Sequence, residues 1–270
     1  MPGDASRDLE VLVRVAQAVQ VGFRRSSTSP HGADVVAMGA DGTPTEEVDR
    51  AAEAQVLSAL DQEGVDWDVL SEEAGVVRRG GGPLLVVDPI DGSHNALRGL
   101  PYATVSLALG RGTLGGIEVG VVRDLYRGTT NWAERGGGAF RDGRRLKTRP
   151  WTPRAELVFL NLGRHATPRV VARAASARRV RSLGCASLEM LAVAEGAADA
   201  YLFENDAPER NLRVTDIAAA YRILREAGGD GSDLGGTSLE ALPLGLERRT
   251  SVFAWADPAF ARQARAEGGP

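Results

Sequence analysis

A single cysteine, Cys185, stands in 270 residues, so no internal disulfide can form and a disulfide-stapled secreted scaffold is excluded. Positive charge is not in excess either. The 32 lysines and arginines are interspersed with 36 aspartates and glutamates, the net charge is −4, and no basic tail offers a footprint for nucleic acid. Also missing is any run approaching the ~20 apolar residues of a membrane span, and the N-terminus carries no apolar signal core. These absences lead us to expect a cytoplasmic protein with no nucleic-acid or membrane partner, in which any anion binding is local. What is present is an apolar content of 43%, enough for a substantial core in one large domain or two intimate subdomains.

The most informative stretch runs from Leu84 to Asn95. The apolar run Leu84-Leu85-Val86-Val87 ends abruptly in Asp88-Pro89-Ile90-Asp91-Gly92-Ser93-His94-Asn95, which reads as a buried strand delivering two carboxylates to its exit. Pro89 stiffens the turn between them by fixing its own φ and removing a donor. Gly92 lets the backbone approach a ligand closely, and the N–H groups of Gly92, Ser93 and His94 can open a helix whose positive end meets an anion. An Asp-Gly pair alone is most often a polar turn. Two aspartates around a proline, followed by Gly-Ser, form a rarer combination that points to a metal on one side and a phosphate on the other.

Asp88-Pro89-Ile90-Asp91-Gly92-Ser93 with Asn95 resembles the signature of the inositol monophosphatase and fructose-1,6-bisphosphatase superfamily. Ser71-Glu72-Glu73, Arg181-Ser182-Leu183-Gly184, Gly196-Ala197-Ala198-Asp199-Ala200 and Thr215-Asp216-Ile217-Ala218-Ala219 are similar to further motifs of that family, so the resemblance covers most of the chain. Gly39 to Thr45 is similar to the archaeal dual-activity branch, which acts on both inositol and fructose phosphates. The resemblance implies a layered α/β sandwich of αβαβα type, with a meander sheet and a smaller mixed sheet. It also implies hydrolysis of a small phosphate monoester with two or three Mg²⁺ ions, Mn²⁺ being an alternative, and a homodimer.

By residue, the resemblance implies metal ligation by Glu72, Asp88, the Ile90 carbonyl, Asp91 and Asp216. Glu72, Asp49 and Ser93 would orient and deprotonate the attacking water. Asp91, Gly92, Ser93, His94, Leu183, Gly184, Cys185 and Asp216 would face the substrate, and a remote phosphate needs a further cation, for which Arg178 or Arg179, and Arg210 or Arg213, are candidates. Blander readings stand beside several of these. Asp49 could only complement a helix dipole, a Glu-Glu pair is usually a solvated edge, and His94 could face solvent. Arg210 or Arg213 could pair with Glu209. Cys185 has no histidine or base nearby in sequence, which favours packing over nucleophilic chemistry. Two positions depart from the family pattern: the loop Glu204 to Leu212 looks rearranged, and Thr215 stands where inositol monophosphatases commonly carry tryptophan.

Elsewhere the periodicity is plain. Leu9, Leu12, Val13, Ala16, Val19 and Phe23 recur at helical spacing. Thr43-Pro44-Thr45-Glu46 reads as a capping box that starts a helix carrying Asp49. Ala103 to Gly110, Gly115 to Arg123 and Gly128 to Glu134 read as an antiparallel meander. Pro150-Trp151-Thr152-Pro153 predicts a boundary between subdomains 1–150 and 151–270. Strands follow at Leu157 to Asn161, Ala200 to Phe203 and Ser251 to Trp255, and a helix opens at Asp216 and stops at Gly228-Gly229. Two readings compete with the phosphatase acting on inositol 1-phosphate or fructose 1,6-bisphosphate. One is a 3′-phosphonucleotide phosphatase, the other a non-catalytic metal-binding regulator of the same fold.

Overall fold

Helix α1 (Arg7–Ser26) buries Leu9, Leu12, Ala16, Val19 and Phe23 along one face, as their spacing dictates. The computed structural model describes residues 6–26, 34–38 and 44–266, so Gly39 to Thr43 of the segment similar to the dual-activity branch lie outside the described residues. The helix predicted to begin at Thr43 begins later. Pro44 to Glu46 form a short strand, β2, paired antiparallel with β1 (Val35–Met38), and α2 (Glu47–Gln62) opens on Glu46 with no side-chain cap. Pairing with Val35 keeps Glu46 extended (φ −88°, ψ 156°), so strand pairing wins over the capping box.

The first sheet is built from β3 (Asp68–Ser71), β4 (Gly75–Val77), β5 (Leu84–Asp91), and, after the short helix α3 (Ser93–Leu97), from β6 (Thr104–Gly110), β7 (Ile117–Asp124), β8 (Thr130–Glu134), β9 (Gly138–Arg141) and β10 (Arg144–Arg145). Its order is β10-β9-β8-β7-β6-β5-β3-β4. The expected meander runs from β6 to β8 and continues through β9 and β10, while β3 and β5 are parallel neighbours. The second sheet draws on β11 (Val158–Leu160), then, past α4 (Pro168–Ser176), on β12 (Val180–Arg181) and, past α5 (Ala186–Ala194), on β13 (Ala200–Phe203). Helix α6 (Val214–Ala227) ends at Gly228 in the left-handed region (φ 103°), and β14 (Asp230–Ser232), β15 (Val252–Trp255) and α7 (Pro258–Ala266) complete the chain. The order of this mixed sheet is β12-β11-β13-β15-β14.

Side-chain alternation sorts the strands into layers. On β5, Leu85 and Val87 join the core under α1 and α2, whereas Val86 joins the core that holds α5 and α6. On β15, Val252 and Ala254 face that same central core, and Phe253 turns outward to Val170 of α4 and Phe260 of α7. The result is the αβαβα arrangement: α1 and α2, the large sheet, α5 and α6, the small sheet, α4 and α7. The central core draws residues from both halves of the chain, from Leu70 and Val122 to Ile217 and Ala254.

Candidate active site

The site lies where β3 and β5 end side by side. Parallel pairing of Ser71 with Val87 puts Glu72, the next residue on one strand, beside Asp88, the next on the other. Helix α6 adds Asp216 from its first turn, where the carboxylate accepts the Arg213 N–H at 2.7 Å. Glu72, Asp88 and Asp216 each bring an oxygen to within 4.8 Å of the others.

Asp91 reaches the same layer by a different device. Between Asp88 and Asp91 the register with β6 slips, Asp88 facing Ser106 and Asp91 facing Thr104, so β5 carries one extra residue at Pro89-Ile90. Regular alternation would send Asp88 and Asp91 to opposite faces. The bulge turns Ile90 into the core under α1 and α2 and leaves both carboxylates on the α5/α6 side. There Asp91 is the anion at the N-terminus of α5: it accepts the N–H groups of Ala186 (3.1 Å) and Ser187 (2.6 Å), the Cys185 thiol (3.2 Å) and the Ser187 hydroxyl. The structure therefore gathers three of the four predicted carboxylate ligands and gives the fourth, Asp91, to α5. The Ala186 and Ser187 N–H groups are thus engaged by Asp91 and are not free for a substrate. Cys185 is a packed donor beside Asp91, and burial pushes its thiol up.

Electrostatics at the site is dominated by like charge. Burial raises Asp88 well above the usual carboxylate range, and the neighbouring Glu72, Asp91, Asp216 and Asp49 raise it further. Burial, then Glu72, does the same to Asp216. Asp91 is raised by burial and pulled back by its bonds to Ser187, Cys185 and Ala186. Asp49, buried in the first turn of α2, is pushed up to about 8 by burial and by Glu73, Glu46 and Glu72. The cation nearest the cluster is Arg213, 3.6 Å from Glu72, whose other oxygen accepts the Thr215 hydroxyl at 2.6 Å. Oxygen-only donors, clustered and undercompensated, fit a hard divalent cation.

The remaining predicted residues fall at varied distances from this centre. Gly92 caps α3 with φ 89°, and a Cβ there would meet the Tyr102 carbonyl oxygen at 2.5 Å, so only glycine fits. Ser93 is half-buried and His94 exposed at the start of α3; no hydrogen bond joins Ser93 to Asp49 among the described residues. Arg210 is exposed in the loop before α6. Arg178 lies elsewhere: it precedes β12, whose opposite end leads to Leu183 and Gly184, and it lines a cavity of about 450 Å³ with Trp151, Glu156, Arg173 and Phe260. Sequence reading passed over Glu189, which is 2% exposed and accepts the Leu183 N–H at 2.5 Å. Its signal was there, an acidic residue amid Ala-Ser-Leu and Met-Leu-Ala-Val-Ala on a helix otherwise apolar.

Like-charged carboxylates gathered around a buried Asp88 cost free energy unless a counter-charge joins them. Set at the ends of parallel strands in a five-layer α/β frame, they form a cluster that could hold a divalent cation. The chain belongs to the inositol monophosphatase family, whose model matches residues 5–265. It is 33% identical to a fructose-1,6-bisphosphatase/inositol-1-monophosphatase of Methanothermobacter thermautotrophicus, with 90% of each chain covered. It is 31% identical to a bifunctional NADP phosphatase/NAD kinase of Methanococcus maripaludis, where 91% of this chain aligns with 46% of the relative. Among solved structures, an inositol monophosphatase-fructose 1,6-bisphosphatase superposes with a TM-score of 0.80 at 25% identity, covering 96% of this chain and 98% of the other. The chain is accordingly a phosphatase of small phosphate monoesters. Among the described residues, no helix is long and apolar enough to cross a membrane.

Proposed function

We propose that this phosphatase is Mg²⁺-dependent and hydrolyses inositol 1-phosphate, fructose 1,6-bisphosphate or both, by direct attack of water. The observation that carries the reading is the convergence of Glu72, Asp88 and Asp216 at the ends of β3 and β5. Two or three Mg²⁺ ions, or Mn²⁺ in their place, would be held by these three carboxylates with Asp91 and the Ile90 carbonyl. Bound there, the metal supplies charge for the phosphate oxygens and lowers the pKa of water.

The protein groups do the rest. Asp49 and Glu72 orient the attacking water and Asp49 takes its proton, with the Ser93 hydroxyl as a further partner. The first N–H groups of α3 have no acceptor within the helix, and Gly92, Ser93 and His94 present them to the phosphoryl group. Leu183 and Gly184 form one wall for the alcohol, with the buried Cys185 packed behind them and so not itself facing substrate, and Arg210 stands at the loop that would meet a remote phosphate. Arg178, at the other end of its strand, is no longer part of this reading. We place the enzyme in the cytoplasm as a homodimer, each protomer one unit of subdomains 1–150 and 151–270.

The likeness to a relative named for NADP phosphatase makes a nucleotide ester the rival substrate. Phosphate release from inositol 1-phosphate, fructose 1,6-bisphosphate and NADP, measured at equal concentrations with Mg²⁺, decides between them. Turnover of either of the first two supports the proposal. Turnover of NADP alone replaces the substrate, and silence on all three overturns it.

A further inference from the structure

Three of the four backbone polar groups of the turn Leu183-Gly184 are held, and from two sides. Asn95, the last residue of the acidic motif, donates its side-chain amide to the carbonyls of Leu183 (2.8 Å), Gly184 (3.1 Å) and Tyr102 (3.0 Å). Glu189, one turn into α5, accepts the N–H of Leu183 at 2.5 Å. A carboxylate 2% exposed is costly to bury, and Glu189 is bonded to this backbone N–H instead of a cation. Burial pushes Glu189 up to about 8, against the pull of the Leu183 N–H. Such an arrangement is poor value as packing. Its product is a fixed turn.

What the turn fixes follows along the chain. Gly184 sits in the left-handed region (φ 71°), and the three residues after it are those that bind Asp91: the Cys185 thiol, the Ala186 N–H, and the Ser187 N–H and hydroxyl. The position of the turn therefore sets where α5 begins, and the start of α5 sets the aim of Asp91. Asn95 belongs to the first half of the chain and Glu189 to the second, so the turn also ties the acidic motif to the wall facing it.

We propose that Asn95 and Glu189 form a two-sided clamp on the Leu183-Gly184 turn and are positioning residues for the substrate wall, acting through Cys185, Ala186 and Ser187 on Asp91. With both carbonyls and the Leu183 N–H engaged, Leu183 and Gly184 meet the substrate mainly by shape. The kinetic consequence rests on the phosphatase reading; the clamp itself does not.

Cys185, the only cysteine, reports the clamp independently of turnover. Wild type, Asn95→Ala, Glu189→Gln and the double variant are labelled with a chromogenic disulfide reagent in native buffer, and their melting is followed by circular dichroism. Each single variant that melts cooperatively labels about tenfold faster than wild type, because the turn opens locally. The double variant labels no faster than the quicker single one, because both residues act on the same turn. In the phosphatase assay, KM rises about tenfold while kcat falls by less than about threefold, a split that loss of stability alone does not produce. Should Glu189→Gln fail to fold, Asn95→Ala reads the clamp from the other side. Unchanged labelling in folded variants overturns the proposal, as do single effects that multiply in the double variant. If wild type turns over no phosphate ester, the functional reading fails while the labelling still decides the clamp.

Discussion

The Thr215 hydroxyl donates to Glu72 at 2.6 Å, so the residue that departs from the family's tryptophan is bonded to a candidate metal ligand. The bond fixes one Glu72 oxygen and leaves the cluster's geometry dependent on a side chain of α6.

Removing that hydroxyl should loosen the site without emptying it. Thr215→Val is expected to weaken divalent-cation binding about tenfold, the lower end for groups that orient a metal ligand. Thr215→Ser should restore most of it. Calorimetric titration with Mn²⁺ checks this, and an unchanged affinity for Thr215→Val would show that Glu72 needs no such support.

The raised carboxylates give metal-free protein a signed pH dependence. Asp49 is pushed up to about 8, and Asp88 and Asp216 move in the same direction, so the folded state holds these protons more tightly than the unfolded chain does. Their contribution is therefore fully present below about pH 4 and is lost as pH rises toward 8. Asp68 runs the other way: bonds from Arg79 N–H and Arg78 hold it low, and its stabilisation disappears as pH falls below the usual carboxylate range. In chelator, Tm should fall between pH 5 and pH 8.5. Mg²⁺ should offset that loss increasingly over the range, adding about 2.7 kcal/mol of stability once its concentration is a hundredfold above Kd. A Mg²⁺ effect that is the same at both ends would contradict the like-charge account.

Gly92 and its neighbour Gly99 provide a matched pair. Both have positive φ, 89° and 69°, but a Cβ at Gly92 meets the Tyr102 carbonyl while one at Gly99 meets nothing within 4 Å. Gly92→Ala should cost about 1–3 kcal/mol and abolish turnover, because the start of α3 must move. Gly99→Ala should cost about 1 kcal/mol and keep turnover. Thermal melts and initial rates on the two variants separate local strain from damage to the site.

Much of this was legible in the residues because period and punctuation speak plainly. Apolar, β-prone runs closed by glycine and proline marked β5 through β8, helical spacing marked α1, and the family resemblance carried Glu72, Asp88 and Asp216 to one place, which pairing of β3 with β5 then explains. What escaped depends on pairing between distant segments. The capping box at Thr43 to Glu46 lost to pairing with β1. The bulge that turns Asp91 toward α5 shows only in its register with β6. Arg178 drew interest from its charge, yet strand direction puts it away from the loop its neighbours form. Short strands such as β4 and β12 have too few residues to show a period.

The most direct measurement is phosphate release from inositol 1-phosphate and fructose 1,6-bisphosphate by wild type and Asp88→Asn, each in Mg²⁺ and in chelator. The account predicts release by wild type in Mg²⁺ alone, and a loss of at least about a hundredfold in a folded Asp88→Asn. Release that persists in chelator, or in the variant at the wild-type rate, would contradict it.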